Sequence, residues 1–190
     1  MSCLLSYFPS TGPLKSIVNK YKLEMLKTLS KPVDLSSRKR LISARFSDSG
    51  YYKSIGFHRK LIINKIKNDD NFLKGRIPKW QYLKECNSVL GLLSPFGWGE
   101  ICYRDFEAAI SCNLLIKPTM DHLVTWPNIY EDNSYLKLDW EFTNISEVTE
   151  AINSDDLVYS HINNSREIYI KALNQCDDRA KDMINDVLKN

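Results

Sequence analysis

Residues with the types and spacing for chemistry concentrate between Ser94 and Pro118, in SPFGWGEICYRDFEAAISCNLLIKP. Gly97 and Gly99 bracket Trp98, so the backbone can turn sharply there and approach a ligand closely. Glu100 is expected to open a helix on which Glu100, Arg104, Glu107 and Ser111 recur at helical spacing as one polar stripe. Cys102, Phe106, Ala109 and Ile110 fall on the other side and are expected to face a core. Leu114 to Ile116 is too short for a helix and suits a parallel strand buried on both faces. Lys117 ends that strand and is placed either to reach a phosphate or merely to flank Pro118. Arg45, at the end of an earlier strand, is a second phosphate candidate. The bland alternatives stand beside these readings. Glu100 and Arg104, at i and i+4, also fit a surface ion pair contributing under about 0.5 kcal/mol, and Glu107 fits a solvated helix position.

The elements that must position these residues alternate between helix and strand. A helical period runs over Leu14–Leu29 and stops at Lys31-Pro32. Arg40 to Phe46 reads as the first strand, Ser47 to Gly50 as a turn, and Phe57 to Lys67 as a helix. A short strand is expected within Asn71–Ile77, a short helix over Trp80–Cys86, and a strand over Ser88–Leu93 that feeds the glycine turn. Asp121 to Tyr130 reads as loop, and Tyr135 to Trp140 alternates like an edge strand. Asn144 to Glu147 has capping-box spacing and is expected to begin a helix running to Ile152. Two more helices are expected near Asp155–Gln175 and Asp177–Leu188. This order predicts an α/β fold, a Rossmann-like, doubly wound parallel sheet with extra terminal helices and a ligand crevice at the carboxyl ends of its strands. The expected organisation is a helical lead-in or linker over 1–36, a Rossmann-like domain over 37–153, which the resemblance given below makes nucleotide-sugar-binding, and helices packing on it over 154–190.

Composition narrows the partners. A length of 190 residues with 43% hydrophobic and 26% charged residues suits about one soluble domain. The net charge of +3 hides an asymmetry: residues 1–76 carry 16 Lys/Arg against 5 Asp/Glu, and residues 77–190 carry 10 against 18. A basic half can attract phosphates, nucleic acid or, by peripheral contact, an anionic membrane surface, or it can be plain solvated surface. It lacks a nucleic-acid reader motif and interleaved aromatic platforms, so no nucleic-acid partner is expected. The five cysteines form no CxxC pair, and His58, His122 and His161 form no metal motif. A cytoplasmic, metal-free protein without a cofactor is the expectation, and no stretch approaches the roughly 18 apolar residues of a membrane span.

The SPFGWGEICYRDFEA, LLIKP and DHLVTWPNIY segments together resemble the donor-binding half of a GT-B fold glycosyltransferase, of the surface-glycan, exostosin-like group. Similarity extends back through ISARF and GFHRK and forward to YLKLDW, over roughly residues 40–152. The resemblance implies transfer of a sugar from a nucleotide-sugar to a hydroxyl of a glycan or other acceptor, in glycan or surface-polysaccharide synthesis. It implies that the turn at Gly97 and Gly99 faces the donor diphosphate, that Glu107 binds the ribose, and that Arg104 meets diphosphate charge. The family pattern has a partner glutamate eight positions before Glu107, where this chain has Gly99, with Glu100 one residue later. Asn113 stands where relatives have glycine, as a residue tolerant of a left-handed turn. The donor-binding set is therefore Gly97, Gly99, Glu100, Arg104, Glu107, Lys117 and Arg45, with no catalytic residue assigned. One domain of the usual two is covered, so a separate acceptor-domain chain is an expected partner, and a non-catalytic nucleotide- or glycan-binding module is the alternative. Phe96 and Trp98 are read as packing residues before sugar platforms, His58 and Arg59 as a surface pair at a helix start, and His122 and Thr125 as loop residues.

Overall fold

The computed structural model describes residues 13–131 and 133–189. The first part of the lead-in expected over 1–36, residues 1–12, lies outside them, and Pro13 opens helix α1 (Pro13–Leu29). The chain continues as β1 (Lys39–Ala44), α2 (Lys53–Ile66), β2 (Phe72–Lys74), α3 (Lys79–Cys86), β3 (Val89–Leu93), α4 (Tyr103–Ile110), β4 (Leu114–Pro118), β5 (Leu136–Leu138), α5 (Ile145–Ala151), α6 (Asp155–Asn174) and α7 (Cys176–Lys189). The five strands form one all-parallel sheet in the order β2-β1-β3-β4-β5. Parallel strands need crossovers, and the helices supply them on both faces of the sheet.

Strand alternation builds two cores. On β4, Leu114 and Ile116 join Ile42, Ile62, Ile66 and Phe72 on one face, where α2, α5 and the start of α6 pack. Leu115 points the other way and joins Leu29, Cys86, Ala108 and Ala109 from α1, α3 and α4. Helix α6 serves both clusters: Val158 and Ile162 enter the first, and Tyr169 enters the second. Arg166 reinforces the seam by donating to the backbone carbonyls of Thr28 and Lys31 at the end of α1. Among the described residues no helix is long and apolar enough to cross a membrane.

Three local expectations are corrected. Helix α4 starts at Tyr103 rather than Glu100, because Cys102 is still extended and Asp105 accepts its N–H at 2.9 Å, closing the first turn. Its buried side is Asp105, Ala108 and Ala109, while Ile110 stays at the surface. The left-handed residue after α4 is Cys112 (φ 55°), not Asn113. The helix ends with Asn113 N–H donating to the Ala108 carbonyl and Cys112 N–H to that of Ala109, a closure that puts the left-handed turn one residue earlier. Asn113 instead donates its side-chain amide to the Cys86 and Val89 carbonyls at 2.8 and 2.6 Å, tying α4's exit to β3. Asn144 does precede α5, but its side chain bonds Asp139 N–H and the Lys137 carbonyl behind it and leaves the helix N-terminus uncapped.

Gly91 lies at the centre of the sheet for steric reasons. A Cβ there would meet Ile42 Cγ1 at 3.0 Å, Ile116 Cδ1 at 3.1 Å and Ile152 Cδ1 at 3.2 Å. The absent side chain lets α5 approach the sheet at the point where β1, β3 and β4 run side by side. Gly91→Ala should therefore destabilise the fold by about 1–3 kcal/mol through overpacking, measured as a lower urea midpoint at unchanged slope. A neutral or stabilising result would mean that the α5–sheet contact can move apart at little cost.

Candidate functional site: a cationic cleft where the strand order reverses

From β1 the chain crosses through α2 to β2 on one side, and from β3 through α4 to β4 on the other. The loops leaving β1 and β3 thus diverge to opposite faces and open a crevice between them, the usual ligand position in such sheets. A cleft of about 1290 Å³ lies there, walled by the segments after β1, β2 and β3 and by the exposed side of α4.

Four arginines line it, and their partners separate three of them. Arg45 forms a two-pronged ion pair with Glu85, at 3.0 Å (Nε to Oε1) and 2.6 Å (Nη2 to Oε2), and also donates to the Lys74 carbonyl. Its charge is offset within the protein. Arg104 donates from Nη2 to the Arg45 carbonyl at 2.7 Å and from Nε to the Tyr82 hydroxyl at 3.4 Å. Arg59 is only 4% exposed. It donates to the Ser47 and Phe96 carbonyls, each at 2.6 Å, so one guanidinium bridges the loops after β1 and β3. Its carbon centre lies 5.0 Å from the Phe46 ring centroid and 4.3 Å from that of Tyr51. Burial lowers its affinity for a proton, yet a guanidinium stays charged. Among the described residues no ion pair joins Arg59 or Arg104 to a carboxylate. Arg76 and Lys79 add exposed positive charge at the β2 end of the cleft.

Glu107 is half-buried on the α4 wall and accepts the Tyr82 hydroxyl at 2.7 Å. Burial first, and this bond to a carboxylate as well, pushes the Tyr82 phenol far above its ordinary range, so it remains a donor. Across the cleft, Gly97 N–H donates to the Gly99 carbonyl at 3.1 Å and closes a short loop that projects Trp98 outward, 72% exposed. Neither glycine takes a positive φ. Cys102 also lines the cleft; burial raises its thiol pKa, so it is a poor thiolate.

Beneath the cleft lies a dry polar cluster. Asp105 accepts from Ser94 Oγ at 2.5 Å, Tyr130 OH at 2.6 Å and Cys102 N–H at 2.9 Å, and pairs with Lys117 Nζ at 3.1 Å. Both charged side chains of that pair are fully buried. His58, on α2, lies between the rings of Phe96, Trp140 and Phe142 at 4.3–5.8 Å. Its Nε2 is 3.0 Å from the Trp140 carbonyl, which can only accept, so Nε2 carries the proton. Its Nδ1 is buried with no hydrogen-bond partner among the described residues.

The structure brings Arg45, Gly97, Gly99, Arg104 and Glu107 to one cleft. Lys117 is instead sequestered on Asp105, and Glu100 is exposed on the loop before α4, outside the cleft lining. Phe96 is buried, Trp98 is not, and His122 and Thr125 stay on an exposed loop, Thr125 within 3.4 Å of Asn128. His58 and Arg59 are both buried rather than a surface pair. Arg59, Tyr82 and Tyr51 are the cleft residues that sequence reading passed over. The one available signal was the position of Arg59 in the helix directly after the first strand, where the sheet order puts it over the crevice. Compared with models of protein families and with curated proteins, the sequence matches none.

Two measurements probe the buried groups. Lys117→Met should cost about 3–5 kcal/mol, since it strands the Asp105 charge, and the same change in an Asp105→Asn background should cost much less. Additive costs would show that the pair is not coupled. Desolvation holds the His58 pKa below its ordinary value of 6.5. As pH falls below about 6.5 the unfolded chain takes up that proton first, so stability should drop by up to about 1.4 kcal/mol per pH unit until the native pKa is reached. Urea melts between pH 7.5 and 5 should show this slope in the parent protein and lose it in His58→Phe.

Proposed function

We propose that this cleft binds the diphosphate of a nucleotide-sugar, and that the chain is the donor-binding half of a GT-B type glycosyltransferase passing the sugar to an acceptor hydroxyl. The observation that carries the reading is the pair Arg59 and Arg104, two guanidinium groups lining the crevice between β1 and β3 with no ion pair to a carboxylate on either among the described residues. A buried cation held only by carbonyl dipoles is costly, and an anion entering the cleft offsets that cost. A planar guanidinium suits phosphate oxygens because it donates two parallel bonds.

On this reading Glu107 accepts hydrogen bonds from the two adjacent ribose hydroxyls, with its outer oxygen held toward Tyr82 so that the carboxylate is pre-set. Bond cleavage at the anomeric carbon leaves the electron pair on the diphosphate oxygen. Arg104 and Arg59 then face more negative charge than in the bound donor, so their attraction is stronger in the transition state than in the ground state. Arg45 contributes less directly: paired with Glu85, it presents its own carbonyl to Arg104 and holds that side chain in place.

Thermal-shift titration against nucleoside diphosphates and nucleotide-sugars tests the reading. A ligand at about 100 times its Kd should stabilise the fold by about 2.7 kcal/mol. Arg104→Ala and Glu107→Ala should each weaken binding about tenfold or more, with the Arg104 variant also losing part of the salt dependence. Glu147→Ala, exposed on α5, should bind as the parent does. No stabilisation by any of these ligands at millimolar concentration would overturn the proposal.

A further inference from the structure

The cleft has a direction, traced by side-chain contacts. Glu107 touches Tyr82, and Tyr82 meets Arg104 at 3.4 Å. The Arg104 guanidinium faces the Phe46 ring at 5.9 Å, and Phe46 also meets Arg59 at 5.0 Å. Arg59 lies over Tyr51 at 4.3 Å, and Tyr51 meets Trp98 at 5.9 Å. The order is carboxylate, guanidinium, guanidinium, indole. The two ends therefore have different chemistry, and the aromatic end opens to solvent.

That end is built for a flat apolar face. Trp98 is 72% exposed, yet Tyr52 meets it edge-on at 5.1 Å and Tyr51 lies tilted beside it, so two rings support the indole while most of it faces water. The next residue but one, Glu100, is exposed and makes no side-chain hydrogen bond or ion pair with another described residue. An exposed aromatic ring with an exposed carboxylate two residues along the same loop suits a pyranose. The axial C–H bonds of one sugar face lie against the indole, and ring hydroxyls donate to the carboxylate. A phosphate or a carboxylated ligand would be repelled by Glu100, and the donor reading puts the nucleoside at the opposite end of the cleft, beside Glu107.

We infer that Trp98, with Glu100, forms a platform for a saccharide ring of the acceptor at the open end of the cleft. The inference rests on the donor reading above, since it takes the diphosphate to lie at Arg104 and Arg59. The acceptor sugar then stacks where its hydroxyl is directed along the cleft toward the group that the diphosphate releases.

The test uses the full chain saturated with the nucleoside diphosphate that stabilises it best, titrated with a panel of neutral oligosaccharides. The Trp98 indole N–H resonance, assigned by its loss in Trp98→Phe, is the readout. Saccharide binding should shift that resonance. By calorimetric titration, which does not need that resonance, Trp98→Ala should weaken saccharide binding about tenfold or more, Trp98→Phe should keep most of it, and both should bind the nucleoside diphosphate within about threefold of the parent. Glu100→Gln should weaken the saccharide alone. If nucleotides bind but no saccharide moves the Trp98 resonance, the platform is overturned and the donor site stands. If no nucleotide binds, the donor reading fails, and the platform falls with it. A Trp98 shift that depends on protein concentration alone would also overturn the platform, because it would mean that a second copy of the chain covers the indole.

Discussion

Asp105 and its buried contacts hold the functional end of the molecule together. A carboxylate removed from water must be met by donors and by opposite charge, or the fold loses several kcal/mol. The donors that meet it come from four separate places: Ser94 just after β3, Cys102 at the start of α4, Lys117 at the end of β4 and Tyr130 in the loop beyond. Satisfying one group therefore fixes where β3 ends, where α4 begins and how the next loop returns. The wall of the cleft made by Glu107 and Arg104 is carried on α4, so its position follows from the same bonds.

The arginines around the cleft divide in a way that charge counting alone would miss. Arg45 and Arg59 both follow β1 closely in sequence, and both are mostly removed from water. Arg45 meets a carboxylate on α3 and serves as structure, whereas among the described residues Arg59 bonds to carbonyl oxygens and lies against aromatic faces. Carbonyl dipoles satisfy the hydrogen-bonding capacity of a guanidinium without cancelling its charge. The protein thus keeps a net positive potential in a partly dry crevice, where the field of a fixed charge is less screened than at an open surface. The same two bonds from Arg59 clasp the loops after β1 and β3, so the buried cation also ties the two walls of the opening together.

Much of the fold was legible because its signals are local. Short apolar runs such as Leu114–Ile116, bounded by turns and separated by helical periods, identify a parallel sheet, and their alternation with helices identifies covering on both faces. The site was legible only where a residue's role depends on its own helix, as with Arg104 and Glu107 on one side of α4. It was not legible where a distant partner decides. Nothing near Lys117 in sequence reveals that Asp105 lies 3.1 Å away in a dry interior, and that pairing is what removes it from the cleft. Arg59 was hidden for the converse reason. A basic residue early in a helix reads as surface until the strand order shows that this helix start stands at the reversal between β1 and β3. The start of α4 was misplaced by a single competing bond, since Asp105 caps Cys102 and leaves Glu100 on the preceding loop.

The segment between β3 and α4 combines two opposite requirements through this arrangement. Its stems, Ser94 and Cys102, are both bonded to Asp105, while its tip from Trp98 to Glu100 is exposed. An aromatic side chain displayed to water loses the benefit of burial, and a loosely tethered loop would fold it back against the surface. Here that collapse is opposed from two directions. The stems are fixed by charge-assisted hydrogen bonds, and the space behind the tip is already filled by Tyr51, whose ring also covers Arg59. The buried ion pair and the cleft cation therefore act on the same loop, one by anchoring its ends and the other by holding the ring that supports its tip. Preorganisation of this kind reduces the ordering cost that a ligand would otherwise meet on binding.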